Sequence, residues 1–543
     1  MPVCTEPLHQ SDPLVLADGA GGAFIVWPDL RDSSTSSTDI YAQHLSAEGV
    51  PLWSPGGVPV CREPGYQANP QVAPDGQGGV IVAWEDRRDL FSDVYAQRVT
   101  SAGELAWPPE GVRLRNSSND KYFYGLRART AIATDGVGGA IAVWEERITG
   151  TNTNLYAQRI AANGTLRWSA LGRGVCSAPG FQSHSTIVAD GRGGAIISWE
   201  DWREFSVAHI YAQRVDSAGL PYWPIDGIIV SAPTGNDLDP SITSDGGGGA
   251  IIAWMVNGPA DIFVQRVTID GVRWSDEGIN ICPVPGRQQF PTIASNESGG
   301  AIVAWLDSRG SLYEIYAQSV DSSGTTLWLQ NGVPVCTQES IRGEGYLVSD
   351  GAGGAFVTWA DFRPGAEGVY VQHVDATGAP LLPVDGIVVT GDPIPAASPA
   401  IAKDGAGGVI MAWADNRDGP TDELGFPINL DIYAARLTIP GLVDVPRRTT
   451  PDFKLLPARP NPTRAETVIP FNLPTEVTVD LEVFSPLGQR VRTLARSQRF
   501  APGDQALTWN GRSDDGQLAP PGVYLVRMAV GRQSVVGRIV LLR

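Results

Sequence analysis

Aspartate and arginine stand two residues apart at six places in this chain: Asp29 with Arg31, Asp86 with Arg88, Asp201 with Arg203, Asp307 with Arg309, Asp361 with Arg363, and Asp415 with Arg417. A carboxylate beside a guanidinium can hold an anion, or activate water when the carboxylate acts as a base. Such chemistry needs one centre. A pair that returns along the whole chain is expected instead to staple a loop to its neighbour. Asp-Gly-x-Gly-Gly, starting at Asp18, Asp75, Asp135, Asp190, Asp245, Asp350 and Asp404, lacks the alternating ligands that give calcium its oxygens, and reads as a turn. The histidines His9, His44, His184, His209 and His373 show no His-Glu-x-x-His spacing. The cysteines Cys4, Cys61, Cys176, Cys282 and Cys336 form no Cys-x-x-Cys pair. There is no Gly-x-Ser-x-Gly elbow and no phosphate loop. The residues name no catalytic group, metal site or cofactor, and the expectation is a chain that is not an enzyme.

The elements that carry these residues are repeats. The Asp-Gly turn leads into an apolar run ending in Trp27, Trp84, Trp144, Trp199, Trp254, Trp305, Trp359 or Trp413. A strand of the type Asp93–Val99 follows, then a Gly turn, then a second tryptophan (Trp53, Trp107, Trp168, Trp223, Trp274, Trp328), then Val-Pro-Val-Cys or a variant. Of the 16 tryptophans, only Trp202 and Trp509 lie outside this scheme. Each unit reads as four strands, and a four-stranded unit of about 54 residues is the mark of a propeller blade. Eight units predict an all-β chain, with an eight-bladed β-propeller over 1–437. The eighth unit lacks its fourth strand, while Pro2-Val3-Cys4 matches Pro59-Val60-Cys61. The N-terminal strand is therefore expected to close the last blade. All five cysteines share one repeat position, too far apart for disulfides, so free, partly buried thiols are expected.

The formal charge of −19 disfavours nucleic acid and anionic lipid as partners. No run is long and apolar enough to span a bilayer. Met1–Gln10 shows no signal peptide.

After residue 437 the pattern stops. Residues 438–452, rich in Pro and Arg, read as a linker, and 453–543 as a small antiparallel β-sandwich. Pro460-Asn461-Pro462, Phe484-Ser485-Pro486-Leu487-Gly488, Trp509-Asn510-Gly511-Arg512, Gly522-Val523-Tyr524 and the ending Leu541-Leu542-Arg543 resemble the C-terminal sorting domain of type IX secretion, which is similar to the Ig-like domain of flagellar hook-capping proteins. The resemblance implies an Ig-like fold, export from a Gram-negative bacterium, a secretion translocon as partner of 453–543, and an extracellular or outer-membrane surface location. Asp216–Trp223 and Asp321–Trp328 resemble the tryptophan docking motif of eight-bladed quinoprotein dehydrogenases, without matches to their quinone or calcium sites.

Two connections vary in length between units, after the first tryptophan and after the fourth strand. In a four-strand meander both emerge on one face, which is the expected binding surface. Its aromatic residues suit sugars or peptides. Phe91, Tyr122, Phe123, Tyr124, Trp202 and Phe205 lie outside the repeat and are the candidate ligand-binding residues. Tyr66, Phe181 and Phe290 recur within it and are expected to pack between blades. The main reading is a non-catalytic recognition or adhesion protein that binds an extracellular glycan or protein. The alternatives are an extracellular hydrolase or lyase acting on glycans, and a structural surface-layer component.

Overall fold

The computed structural model describes residues 1–543 except 33–36, 90–91, 116–129, 232–234, 259–260, 273, 311, 339, 341–342, 344, 391–395, 418–428, 439–440, 444–452, 457, 486–489, 531–532 and 543. The chain divides into two units, Met1–Arg447 and Arg448–Arg543. The described residues are all-β, without a helix, and none of their segments is a helix long and apolar enough to cross a membrane.

The first unit holds eight antiparallel sheets of four or five strands in a propeller-like arrangement. The innermost strands, such as Gln67–Pro74, Thr130–Thr134 and Gln182–Ala189, neighbour one another in chain order, and the last, Ala396–Lys403, neighbours the first, Leu14–Ala17. Pro2–Cys4 pairs antiparallel with Asp431–Thr438, joining Pro2 to Tyr433. The second strand of each sheet, such as Val80–Asp86, is buried along its whole length because a sheet covers each of its faces.

The repeated residues are spent on holding sheet to sheet. The indole of Trp84 donates to Asp86 at 2.8 Å, Arg88 pairs with the same carboxylate at 2.6 Å, and its guanidinium lies 4.0 Å above the Tyr95 ring. Arg88 also reaches the Cys61 sulfur of the preceding sheet at 3.5 Å. Trp199, Asp201, Arg203, Tyr211 and Cys176 repeat the cluster. Asp29 with Arg31, Asp307 with Arg309, and Asp361 with Arg363 form the same ion pair in their sheets.

At Arg417 the repeated ion pair lies deeper than in the other copies. This arginine is buried, at 7 % exposed, whereas the other five keep part of the side chain in solvent. Arg417 donates through Nε to both Asp415 oxygens at 3.0 Å, and a terminal nitrogen lies 2.5 Å from one of them. Its guanidinium stands 4.0 Å from the Tyr433 ring and 5.8 Å from Trp413. Arg417 and Asp415 thus form a buried ion pair beside the aromatic residues of their own sheet. The preceding sheet has Thr390 where other units offer a cysteine sulfur. A buried guanidinium is tolerated here because a carboxylate answers its charge directly.

Where other seam residues change, the partners change together. The third sheet has Glu146 in place of the aspartate, and Arg115, standing where other units have cysteine, pairs with it. All five thiols are buried and none is in a disulfide. Burial pushes Cys4, Cys61, Cys176 and Cys282 up to about 12.

A second staple lies at the opposite end of the sheets. Trp53 donates to the carbonyl of Ser101 in the next sheet's turn at 2.9 Å, and a Cβ on Gly103 would come within 2.9 Å of that indole. Gly103, at φ +83°, therefore serves both the turn and the close approach. The Asp-Gly turns are closed by their own aspartates. Asp75 accepts the amides of Gln77 and Gly79 at 2.7 Å and pairs with Arg98.

In the second unit, a sheet of Lys454–Leu455, Thr467–Leu473 and Gly503–Trp509 accompanies one of Val477–Phe484, Arg490–Phe500, Gly522–Val530 and Gln533–Leu541. They share a core of Phe471, Leu481, Trp509, Met528 and Ile539.

Candidate functional site

The innermost strands enclose a cavity of about 560 Å³, lined by residues that include Asp12, Asn69, Gln71, Thr130, Ser185 and Ser241. A second cavity of about 320 Å³ shares Asp12, Leu14 and Ser241 with it, so the space continues among the innermost strands. A third, of about 460 Å³, shares Asp12 and Asn69 and reaches Tyr66. The hydroxyls of Thr130, Ser185 and Thr292 on these walls are buried and make no hydrogen bond. A buried hydroxyl without a partner costs about 1–3 kcal/mol. These walls therefore suit water or a hydroxyl-bearing ligand.

One repeat position at the start of the innermost strand behaves unlike all others. Asp12, Asn69, His184, Asp239, Phe290 and Ser398 occupy it, each with φ between +43° and +54°. In five of these strands the pairing slips at this point, for instance between Ser183 and Thr186, so that a bulge forms. The left-handed conformation costs about 1–2 kcal/mol for a residue with a Cβ. Every one of these positions accepts that cost, yet no two neighbours carry the same side chain.

The residue after the first tryptophan also varies. It is Glu85, Glu145 and Glu200 in three successive sheets and Pro28, Met255, Leu306, Ala360 or Ala414 in the others. Glu85 and Glu200 stand opposite the bulges of their sheets, and Glu145 and Glu200 reach the next sheet. Glu145 accepts the Ser185 amide at 3.3 Å, and Glu200 the Asp239 amide at 2.8 Å. Glu200 also takes the Ser183 hydroxyl at 3.1 Å and meets His184 Nδ1 at 3.0 Å. Donor atoms of His184, Glu200 and Asp239 all lie within 4.8 Å of one another. Burial pushes the Glu200 carboxyl up, but His184, the Asp239 amide and the Ser183 hydroxyl outweigh it and hold the group below its ordinary 4.5. Glu200 is thus an ionised carboxylate beside an imidazole and a second carboxylate, a set that can accept a proton, orient water or ligate a cation.

Of the candidate ligand residues, Trp202 and Phe205 sit directly after Ala195–Asp201, the strand that carries Glu200. The Trp202 amide donates to Phe181 at 2.8 Å, and Phe205 is 64 % exposed with φ +60°. Phe91, Tyr122, Phe123 and Tyr124 lie outside the described residues. Tyr66, Phe181 and Phe290, expected to pack between blades, keep part of their rings in solvent. They are 41 %, 38 % and 36 % exposed, and Phe290 stands at the bulge position, three residues later in the repeat than the other two. The sequence search missed His184, Glu200 and Asp239 because it sought ligands at short spacing. Aligning the residue six before each turn aspartate would have shown a varied polar position inside a uniform repeat.

No family model matches the chain and no curated protein matches it. Solved structures similar to it include an α-L-arabinanase of Penicillium chrysogenum, at 11 % identity over 69 % of this chain and 93 % of that one with a TM-score of 0.35. A Hadza microbial sialidase matches at 13 % identity over 60 % and 70 % with a TM-score of 0.33. PorZ of Porphyromonas gingivalis, a surface component of the type IX secretion system, matches at 11 % identity over 99 % and 82 % with a TM-score of 0.23. The expectation of a chain that is not an enzyme is corrected here. Solved structures similar to this chain include a sialidase, arabinanases and an α-L-arabinofuranosidase, and His184, Glu200 and Asp239, unseen as a set in the sequence, are gathered from two sheets.

Proposed function

We propose that this chain is an extracellular or surface-held protein that acts on glycans as a hydrolase or lyase. Its first unit is taken as an eight-bladed β-propeller over 1–437. Residues 453–543 are taken as an Ig-like sorting domain after a linker at 438–452, on the motifs that resemble the type IX domain. One observation carries the functional reading: the ionised Glu200 meets His184 and the Asp239 amide two residues from Trp202, and Ser185, next in the chain to His184, belongs to the lining of the 560 Å³ cavity. Sugar rings stack on aromatic faces, and their hydroxyls satisfy polar walls. Glu200 is the proton acceptor in this reading, and Trp202 and Phe205 hold the sugar. Phe91 and Tyr122–Tyr124 belong to the same proposed surface.

The test is release of reducing ends or of unsaturated sugars from a panel of polysaccharides by the full chain. Glu200→Gln is expected to abolish turnover, and Trp202→Ala to raise KM with a smaller change in kcat. If no polysaccharide is bound or cleaved, or if Glu200→Gln turns over normally, the reading fails.

A further inference from the structure

The glutamates of the second and fourth sheets share one repeat position but are neutralised differently. Glu85 is held by Arg87, whose guanidinium nitrogens lie 2.9 and 2.7 Å from one oxygen, and by the Asn69 amide at 3.0 Å. In the fourth sheet the residue at the place of Arg87 is Trp202, and the residue at the place of Asn69 is His184. The fifth sheet then brings a second acid, Asp239, to the same spot. Two carboxylates and an imidazole with donor atoms 3.0 Å apart at the nearest have replaced an arginine-paired carboxylate. Neighbouring ligand atoms about 3 Å apart are what bonds of about 2.1 Å around one ion produce. The bare set carries two negative charges when the imidazole is neutral, and Glu200 is only 3 % exposed. Two carboxylates converging on one point attract a divalent cation.

We propose that His184, Glu200 and Asp239 bind one divalent first-row transition ion, such as Zn²⁺. One nitrogen and two carboxylate donors suit such an ion. Calcium, which takes about six to eight oxygens, is poorly served by three groups. Three protein ligands leave at least one position for water or a substrate hydroxyl. The site does not rest on the glycan reading; it makes Glu200 a ligand in place of the proton acceptor, and Zn²⁺ binding and glycan turnover are measured separately, so each can fail alone.

The experiment is calorimetric titration of the full metal-stripped chain with Zn²⁺, without any glycan, paired with the visible spectrum of the Co²⁺ form. One Zn²⁺ per chain is expected, with a Co²⁺ spectrum of nitrogen and oxygen ligands. His184→Asn installs the residue that Asn69 already shows to be compatible with this backbone, and Asp239→Asn keeps shape while removing charge. Each is expected to weaken Zn²⁺ at least roughly tenfold, with circular dichroism and thermal midpoint in the absence of metal close to those of the parent chain. Absence of stoichiometric Zn²⁺, thiolate bands in the Co²⁺ spectrum, equal or tighter binding of Ca²⁺, or Zn²⁺ binding unchanged in both variants would each overturn the proposal.

Discussion

The second and fourth sheets of the first unit are copies that agree on one side and differ on the other. At the sheet-to-sheet seam, Trp84, Asp86, Arg88, Tyr95 and Cys61 do what Trp199, Asp201, Arg203, Tyr211 and Cys176 do, and distances match to within a few tenths of an ångström. At the bulge, backbone and glutamate are the same, yet Asn69 and Arg87 in one copy are His184 and Trp202 in the other. The seam must be uniform because every sheet buries the same surface against the next. The bulge is under no such demand. It is held by the backbone and its side chains are released for other work, which is how a repeat can host a single site.

The largest effect should come from the seam and should be equal in both copies. Asp86→Ala and Asp201→Ala each strand a largely buried arginine and an indole N–H, and should cost about 3–5 kcal/mol in urea unfolding. A gap of more than about 1 kcal/mol between them would break the claim that the two seams are equivalent.

A smaller effect should separate the copies at the bulge. Glu200 has its carboxyl lowered in the folded chain, so its ionised form favours folding. That contribution is complete above the unfolded value near 4.5 and is lost as pH falls through the lower folded value. The stability difference between the parent chain and Glu200→Gln should therefore be constant above pH 5 and shrink on further acidification. A difference that grows with acid would refute the assignment of charge.

The smallest effect should be Phe205→Ala. An exposed side chain contributes little to folding, so stability should stay within about 0.5 kcal/mol while glycan affinity falls. Unchanged glycan affinity in a titration would remove Phe205 from the binding surface.

The all-β, four-strand character of the first unit was legible because its causes are local. The Asp-Gly turns, the apolar run before each first tryptophan and the alternation of Asp93–Val99 each declare themselves within a few residues. The thiols were legible too, since Cys4, Cys61, Cys176, Cys282 and Cys336 share one repeat position and cannot approach one another. The burial of Arg417 was not, because its two-residue spacing from Asp415 is the same as in the partly exposed copies. Nor was the bulge, because Asn69, His184 and Asp239 have no common side chain to betray a common backbone.

By itself, then, the sequence determined the repeat, its strands and its seam residues, because these depend on contacts that recur in every copy. Only the tertiary structure decided which unlike residues meet. His184 and Asp239 lie in different sheets, and Glu200 reaches both only because successive innermost strands stand side by side around a common cavity. That convergence is a property of the closed arrangement, and no spacing along the chain encodes it.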